Sequence, residues 1–420
     1  MPKQVTFIHA ADLHLGAPFR GLRALSPAWA ARLLTAIPES YDRVIDAALN
    51  YEVDFVVIAG DIFDSAKASY ADCLHFFDGL KRLDAAGIPV YLCTGNHDPY
   101  TSWQQGFFAL PPNTVMFPAD RPGFTVFQKD GEALALIGGR GFYNQAWPHD
   151  QSIAEGISRK AAQEVLGATA PFSIGIIHTG LDIDPLKAPT DPAELLRAGM
   201  DYWALGHIHL RYVYPENNPQ IVFPGCIQGR DIKETGERGI FKVTLIEGRP
   251  NQLEFIPTAS VVWQRVKVDV SECTSLTDIN EKVMAELFIE NSHAYCEEMC
   301  VRVSLVGETR LHRLLEGPGV LQDMRKALND SYPLFYCDAL IDKTTQPLDK
   351  AALAKEGLFP AVLMQASAEC KDGHDETLAY LQDEFLKKGL QLPHGCEKDI
   401  PVLIKEAEDM VLDLLVKGDA

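Results

Sequence analysis

Five short polar segments carry the residues of this chain that could do chemistry. In chain order they are Asp12-Leu13-His14, Gly60-Asp61, Gly95-Asn96-His97, His178, and Gly206-His207-Ile208-His209. Each segment follows or ends a short apolar run rich in β-branched residues, which is typical of a buried strand. Together they offer carboxylate, amide and imidazole groups at strand ends, the donor set that a two-metal phosphoester-cleaving site uses.

The residue types suit metal binding segment by segment. Asp12 and His14 lie two positions apart, so they point to the same side of an extended strand end. Gly60 permits a sharp turn before Asp61, whose two carboxylate oxygens can bridge two cations. His178 alone would more often be a core histidine. The alternative that all these residues are caps and core hydrogen-bonding groups is disfavoured, because so many polar groups tolerate burial poorly without a shared partner.

In this order the segments resemble the signature of the calcineurin-like metallophosphoesterase superfamily: D-x-H, G-D-x-x-D, G-N-H-[DE], H and G-H-x-H. Three further features are similar to its SbcD/YhaO-like DNA-repair nuclease branch: the opening FIHAADLHLG, the segment FPGCIQGRDIKETGERG, and an α+β module followed by a helical tail. The likeness in motifs covers about residues 1–262.

The resemblance implies a role for each residue. One cation would be held by Asp12, His14, Asp61 and His209, and the other by Asp61, Asn96, His178 and His207. His97 would be catalytic rather than a ligand, contacting the phosphate and assisting departure of the leaving oxygen. Asp64 stands where some members of the branch carry a histidine, and its role stays open.

The donor set contains nitrogen and oxygen but no thiolate, which suits Mn²⁺, Fe²⁺ or Co²⁺ better than Ca²⁺ or Mg²⁺. The resemblance implies Mn²⁺. It also implies DNA as the substrate, in exonuclease or endonuclease cleavage, and an SMC-like ATPase subunit as a partner. A homodimer stays open.

Residues near the segments carry weaker signals. Arg230 and Lys233 are candidates for binding the substrate backbone, with pairing to neighbouring acids as an equal alternative. Arg20 and Arg23 fit a solvated loop better than a phosphate site. Trp103 and Phe107 are expected in the core rather than as base-stacking platforms.

The order of apolar runs predicts an α/β (α+β) fold. Residues 1–262 are expected to form a four-layer sandwich of two mixed sheets flanked by helices, which is the nuclease domain. Residues 263–345 are predicted to form a small α+β capping domain. Residues 346–420 are predicted to be mostly helical. The apolar stripe of the last helix indicates either packing on its own domain or docking to a partner, so this region is a candidate docking segment.

Apolar periodicity predicts helices near 41–51, 70–86 and 151–166. Four closely spaced strands are predicted between residues 211 and 257, and turn residues between them favour antiparallel pairing.

The formal net charge of −20 argues against a non-specific nucleic-acid coat protein, which would normally be basic. It does not exclude a nuclease, because bound cations reverse the sign of a carboxylate-lined site. The charge favours the main alternative, a small-molecule or nucleotide phosphodiesterase or phosphatase on the same core. A scaffold that has lost activity is disfavoured by the intact ligand set.

Nine cysteines are scattered with no C-x-x-C pair, which indicates reduced thiols in a cytoplasmic protein. The N-terminus does not resemble a signal peptide, and no apolar run approaches the length of a membrane span. We therefore expect no membrane association.

Overall fold

The computed structural model describes residues 2–18, 26–65, 68–103, 109–184, 186–347, 350–356, 358–388, 390, 392 and 396–418. Its strands are β1 Gln4–Ala10, β2 Phe55–Ala59, β3 Val90–Cys93, β4 Thr114–Met116, β5 Gly123–Lys129, β6 Glu132–Arg140, β7 Phe172–His178, β8 Tyr202–Gly206, β9 Tyr212–Tyr214, β10 Ile221–Phe223, β11 Gly239–Ile246, β12 Gln252–Pro257, β13 Val262–Asp269, β14 Met299–Glu308 and β15 Phe335–Thr345. Its α-helices are α1 Pro27–Asn50, α2 Tyr70–Ala85, α3 Arg159–Leu166, α4 Pro192–Arg197, α5 Leu276–His293, α6 His312–Leu315, α7 Val320–Ser331, α8 Lys350–Glu356, α9 Leu358–Asp372, α10 His374–Lys387 and α11 Ile400–Gly418.

Two six-stranded mixed sheets carry the segments singled out in the sequence. The first has the order β12-β11-β1-β2-β3-β4, in which β1 to β4 are parallel and β11 and β12 are antiparallel. The second has the order β5-β6-β7-β8-β10-β9, in which β6, β7, β8 and β10 are parallel and both edge strands are antiparallel. A third sheet has the order β13-β14-β15. Parallel strands end at one edge, so the residues that follow β1, β2 and β3 meet there.

The two large sheets enclose an aromatic core. Phe7 of β1 stacks on Phe55 of β2 with ring centroids 4.8 Å apart, and Tyr202 of β8 meets Phe7 edge-on at 5.4 Å. Helices α1 and α2 bury their apolar faces against the outer side of the first sheet. On the outer side of the second sheet, Leu195 of α4 packs in one cluster with Trp203 of β8. The predicted sandwich of two mixed sheets flanked by helices is confirmed.

Two predicted helices have different bounds in the structure. Helix α1 begins at Pro27, well before the predicted residue 41, and Ser26 caps it by accepting a hydrogen bond from the amide of Trp29. Pro38, which lacks an amide hydrogen, lies inside this helix although it usually interrupts a helical pattern. The prediction for 151–166 is wrong over its first half, because α3 begins only at Arg159, after the cap Ser158.

The pairing of the late strands is antiparallel only in part. β9 pairs with β10, and β11 pairs with β12, in antiparallel fashion as predicted. β10 also pairs in parallel with β8 in the second sheet, whereas β11 pairs in antiparallel fashion with β1 in the first sheet. These closely spaced strands therefore divide between the two sheets.

The chain separates into two compact units. The first comprises Met1–Gln264, Glu290–Val301 and Leu334–Tyr336, and it contains both six-stranded sheets. The second comprises Arg265–Ile289, Arg302–Pro333 and Cys337–Ala420, and α8 to α11 belong to it. None of the helices among the described residues is both long and apolar enough to cross a membrane.

Charged side chains join the helices of the second unit. Lys350 of α8 donates to Glu408 and to Asp409 of α11, at 2.6 Å in each case. Lys371 of α9 lies 3.5 Å from the Glu408 carboxylate. The Glu408 side chain is only 8% exposed, so these lysines compensate a carboxylate that is largely removed from water.

His9 of β1 makes the sandwich sensitive to acid. Its ring is fully buried between the sheets, with Nδ1 2.9 Å from the Tyr202 hydroxyl, and burial lowers its pKa to about 3. The unfolded chain holds this proton with a pKa near ~6.5. Below that value the unfolded state binds more protons, so folded stability falls as the pH drops from about 6.5 toward 3.

We expect the free energy of unfolding to fall by roughly 2 kcal/mol more in the unaltered protein than in His9→Asn between pH 7.5 and pH 5. Asparagine keeps a polar group near Nδ1 but cannot titrate. Urea unfolding at both pH values checks this difference, and all other titrating groups are common to the two proteins. Equal losses in both proteins would show that His9 does not govern the acid response.

Candidate metal centre

Several of the polar residues at the strand ends have strained backbone conformations. Asp12, His14, Asp61 and His207 have positive φ angles of 51°, 48°, 49° and 103°. Such angles are unfavourable for residues with a side chain and persist where surrounding contacts impose them. Two of those contacts are backbone hydrogen bonds: Asp12 donates to the Gly60 carbonyl at 3.2 Å, and His14 donates to the Asp61 carbonyl at 3.0 Å.

Asp12, His14, Asp61 and His209 form the first group of candidate ligands. The Nε2 atoms of His14 and His209 face each other at 3.0 Å. A carboxylate oxygen of Asp61 lies 3.8 Å from His14 Nε2, and one of Asp12 lies 3.9 Å from His209 Nε2. Four donor residues from the loops after β1, β2 and β8 therefore converge on one point.

Asp61, Asn96, His178 and His207 form the second group. The Asn96 side-chain oxygen lies 3.1 Å from His178 Nε2 and 3.1 Å from His207 Nδ1. The same Oδ2 of Asp61 that faces His14 lies 3.3 Å from His178 Nε2. Asp61 thus stands between the two groups, as a bridging carboxylate must.

The structure brings all seven predicted ligand residues together, and their chemistry fits a pair of divalent cations. Donor atoms of Asp12, His14 and His209 lie within 4.8 Å of one another, as do those of Asp61, His178 and His207. All are oxygen or imidazole nitrogen, the donors that first-row divalent metals accept. Their assignment as ligands stays a prediction.

Burial and neighbouring charge set the ionisation of these groups. Burial lowers the pKa of His14 and of His207 to about 4, so both imidazoles are neutral near pH 7, as a ligand must be. Burial opposes charge on Asp61 as well, but the charge and hydrogen bond of His178 outweigh it and hold the Asp61 pKa below its usual range. Burial raises the pKa of Asp12 to about 6, although His209 and His178 act against it.

Close backbone packing requires glycine beside the bridging carboxylate. A Cβ atom added to Gly95 would lie 2.1 Å from Asp61 Oδ1 and 2.4 Å from the Asp61 amide nitrogen. Gly95 therefore lets the loop after β3 pack against the loop after β2. One residue beyond Asn96, the amide of His97 donates to Asp61 Oδ1 at 2.9 Å, which fixes the orientation of that carboxylate.

Asp98 ties the same two loops together, and the sequence reading missed this role. Its carboxylate accepts hydrogen bonds from the amide of Gly95 at 2.9 Å and from that of Ile62 at 3.1 Å. Burial raises its pKa to about 8, with the Asp61 charge acting in the same direction. The aspartate of G-N-H-D was visible in the sequence, but its partners are backbone groups that only the fold brings near.

Carboxylates outside the seven residues orient the candidate ligands. Glu234 lies 2.6 Å from Nδ1 of His209, and Asp64 lies 3.1 Å from Nδ1 of His14. These contacts hold each ring with Nε2 toward the centre of the first group. The contact with His14 also gives Asp64 an orienting position, whereas the sequence left its role open. Glu234 was missed because it is 25 residues from His209 and no spacing rule connects the two.

The second group has comparable supports. The Ala59 carbonyl lies 3.0 Å from Nδ1 of His178. Nε2 of His207 lies 3.1 Å from the carboxylate of Asp184, whose side chain is 41% exposed. Both contacts turn the other ring nitrogen toward Asn96.

His97 lies beside the first group without belonging to either. Its Nδ1 donates to the Asp64 carbonyl at 2.8 Å, and its ring meets that of His14 edge-on at 5.0 Å. That hydrogen bond directs Nε2 away from the backbone, so Nε2 is the nitrogen that a substrate could reach.

The basic residues divide into different environments. Arg230 lies 2.9 Å from the Asp64 carboxylate and 3.1 Å from that of Glu234, so it joins the two carboxylates that orient His14 and His209. Lys233 is exposed, and its amide donates to Asp231 at 2.6 Å. A substrate role for either residue stays a prediction. Arg20 and Arg23 lie outside the described residues.

Comparison with known proteins agrees with this geometry. Residues 5–211 match the model of the calcineurin-like phosphoesterase family, and residues 263–345 match that of the middle domain of metallophosphoesterase YhaO. The chain is 36% identical over 334 residues to the uncharacterized metallophosphoesterase YhaO of Bacillus subtilis (strain 168), covering 79% of this chain and 78% of that protein.

More distant relatives are named DNA double-strand break repair protein Mre11. The protein of Aeropyrum pernix is 25% identical over 287 residues, covering 66% of each chain. That of Saccharolobus solfataricus is 23% identical over 393 residues, covering 90% of this chain and 94% of the relative.

The sandwich, the converging ligand groups and these matches define a metallophosphoesterase, a hydrolase class that uses a dinuclear metal centre. The chain belongs to the calcineurin-like phosphoesterase family. Within that family it lies in the branch that contains YhaO and the Mre11-type proteins, which confirms the resemblance seen in the sequence.

Removing the shared carboxylate should empty both sites. We expect Asp61→Ala to lose both cations and nearly all hydrolysis, because Asp61 is common to the two groups of donors. Metal content after desalting, measured by inductively coupled plasma mass spectrometry, checks this. Retention of two cations per chain by a folded Asp61→Ala protein would contradict the bridging assignment.

Removing the charge of an orienting carboxylate should weaken metal binding less, and at only one of the two cation sites. We expect Glu234→Gln to weaken binding of one of the two cations about 10- to 100-fold, because glutamine keeps the shape but not the charge that polarises His209. Titration calorimetry with Mn²⁺ measures the two affinities. Glu237→Gln is the matched control, since Glu237 lies three residues away, is 47% exposed and is 3.7 Å from Arg211.

Proposed function

We propose that this protein is a two-metal-dependent phosphodiesterase that cleaves DNA in repair, together with an SMC-like ATPase subunit. The observation that supports this most strongly is the convergence of seven donor residues from five strand ends on Asp61, with His97 beside them. The names of the Mre11 relatives support DNA rather than another phosphodiester as the substrate.

When bound, the cations would lower the pKa of a water molecule and offset the negative charge of the phosphate. The protein residues position everything else. The His97 amide and the strained turn at Asp61 hold the shared carboxylate in one orientation, while Glu234 and Asp64 hold the rings of His209 and His14. His97 Nε2 contacts the phosphate and donates a proton to the departing oxygen, a step that general-acid catalysis accelerates by about 10²- to 10⁴-fold.

Nitrogen and oxygen donors without thiolate suit Mn²⁺, Fe²⁺ or Co²⁺. Among these, Mn²⁺ is the proposed native cation because the family resemblance favours it. We propose the cytoplasm as the compartment, since the nine cysteines are scattered without a C-x-x-C pair, which is typical of reduced thiols. We also propose residues 1–262 as the nuclease domain, 263–345 as the capping domain and 346–420 as the segment for the ATPase. The match of residues 263–345 to the YhaO middle domain supports the second of these.

A small-molecule or nucleotide phosphodiesterase or phosphatase is the second candidate. The observation that favours it is the net charge of −20, which opposes the approach of a polyanion. It would use the same donor residues and the same cations, so the metal centre does not distinguish the two.

The first experiment measures hydrolysis of labelled DNA, bis-p-nitrophenyl phosphate and free nucleotides with Mn²⁺ and with EDTA. We expect DNA cleavage that requires Mn²⁺, and a higher kcat/KM for DNA than for either small substrate. Mn²⁺-dependent hydrolysis of the small substrates with intact DNA would favour the second candidate.

His97→Ala separates catalysis from metal binding. We expect this variant to keep both cations and to lose about 10²-fold or more in turnover, because the proton donor is gone while the ligands remain. Metal content and hydrolysis are measured on the same sample. Turnover equal to that of the unaltered protein, with both cations present, would remove the catalytic assignment of His97.

A further inference from the structure

Two exposed tyrosine rings lie against each other, and one of them belongs to the loop that carries Asn96 and His97. The ring centroids of Tyr100 and Tyr143 are 6.2 Å apart and their planes differ by 21°, which is a stacked arrangement. Tyr100 is 38% exposed and Tyr143 is 50% exposed. The pair, called here the tyrosine platform, therefore presents aromatic surface to solvent.

The tyrosine platform is fixed by the ends of two strands from different sheets. Tyr100 begins a short 3₁₀ turn after β3, and Tyr143 lies three residues beyond β6. The Tyr100 amide donates to the Phe142 carbonyl at 2.8 Å, and the Thr101 amide donates to the Tyr143 carbonyl at 3.2 Å. These backbone bonds fix the two segments that carry the rings, which reduces the conformational entropy lost when a ligand stacks on them.

The same segments carry the candidate catalytic residues. His97 precedes Tyr100 by three residues in the loop after β3. Phe142, directly before Tyr143, places its ring edge-on to the candidate ligand His178 with centroids 5.7 Å apart. Its amide donates to the carbonyl of Thr94, at the start of the loop that carries Asn96. The tyrosine platform is thus linked through Phe142 and the loop after β3 to the second group of donors.

Among the described residues of this loop, the aromatic residue Trp103 is differently placed. Trp103 is half-buried, with its ring centroid 5.5 Å from that of Phe63 and 6.1 Å from that of Phe76. Its indole N–H donates to the Asp98 carbonyl at 3.0 Å. Trp103 is a packing residue, as the sequence predicted, whereas Phe107 lies outside the described residues.

We propose that the tyrosine platform binds an unpaired nucleobase of the substrate strand by stacking. Bases next to a phosphodiester are flat and aromatic, and stacking on tyrosine tolerates any sequence because every base has a π-face. Stacking needs no positive charge, so it lets an acidic protein hold a nucleic acid near the metal centre. The substrate class is therefore single-stranded DNA or an unpaired DNA end. This inference rests on the proposed function, because it requires a substrate that carries bases.

The test compares two strands that differ only in their bases: a labelled oligothymidylate and a strand of equal length made of abasic residues. Binding to the full-length protein is measured by fluorescence anisotropy in EDTA, which prevents hydrolysis. Cleavage of both strands is then measured with Mn²⁺. The variants are Tyr143→Ala and Tyr143→Phe. Tyr51→Ala is the control, because Tyr51 is 46% exposed but lies at the end of α1, where its ring meets Lys242.

We expect the unaltered protein to prefer the oligothymidylate. Tyr143→Ala should lose about 10-fold in affinity for that strand and less than about twofold for the abasic strand, in line with the effect of removing one stacked base. Tyr143→Phe should bind as the unaltered protein does, because it keeps the ring, and Tyr51→Ala should show no change in preference.

Two outcomes separate the platform from the nuclease. Equal binding of both strands by the unaltered protein, or equal losses on both strands in Tyr143→Ala, would overturn the platform whatever the catalytic result. A base preference that Tyr143→Ala removes, without Mn²⁺-dependent cleavage of either strand by the unaltered protein, would leave the platform standing and reject the proposed nuclease function.

Discussion

The position of one buried carboxylate, that of Asp61, constrains the rest of the site. Its Oδ1 accepts a hydrogen bond from the His97 amide, and its Oδ2 faces His14 on one side and His178 on the other. That placement requires a left-handed turn directly after β2 and a glycine at position 95, where a side chain would collide with Asp61 itself. The two sheets offset the strain of this turn. In each sheet the parallel strands end at the same edge, so packed neighbours surround the turn.

The part of the site that the sequence predicts is the part whose position depends on the strands alone. The seven candidate ligands stand directly after or at the ends of apolar runs, so strand order was enough to bring them together. Glu234, Asp184 and the contacts of Asp98 depend on loops that meet only in the folded chain. The first half of α1 was missed because Pro38 interrupts its pattern, and the sandwich packing outweighs the lost hydrogen bond.

The acidic character of the chain has to be weighed locally and globally. Two divalent cations would offset four of the twenty net negative charges, so −16 remains on the protein as a whole. At the site the balance differs, since the carboxylates of Asp12 and Asp61 would face cations, and those of Asp64 and Glu234 already face Arg230. Local neutralisation allows phosphodiester chemistry, but it does not attract a long polyanion. Attraction through apolar stacking, or through basic surface on a partner, is consistent with this charge distribution.

Arg230 shows how a residue near an active site can be committed elsewhere. Its guanidinium already faces the carboxylates of Asp64 and Glu234, and it is 22% exposed. A substrate phosphate would have to compete with both carboxylates for the N–H groups of Arg230. If the phosphate displaced them, the two carboxylates that hold His14 and His209 would lose their partner. Binding of phosphate by Arg230 would therefore disturb the metal centre it was meant to serve. The arrangement favours a role for Arg230 in fixing the two histidines, with recognition of the proposed nucleic-acid substrate left to other groups such as the tyrosine platform.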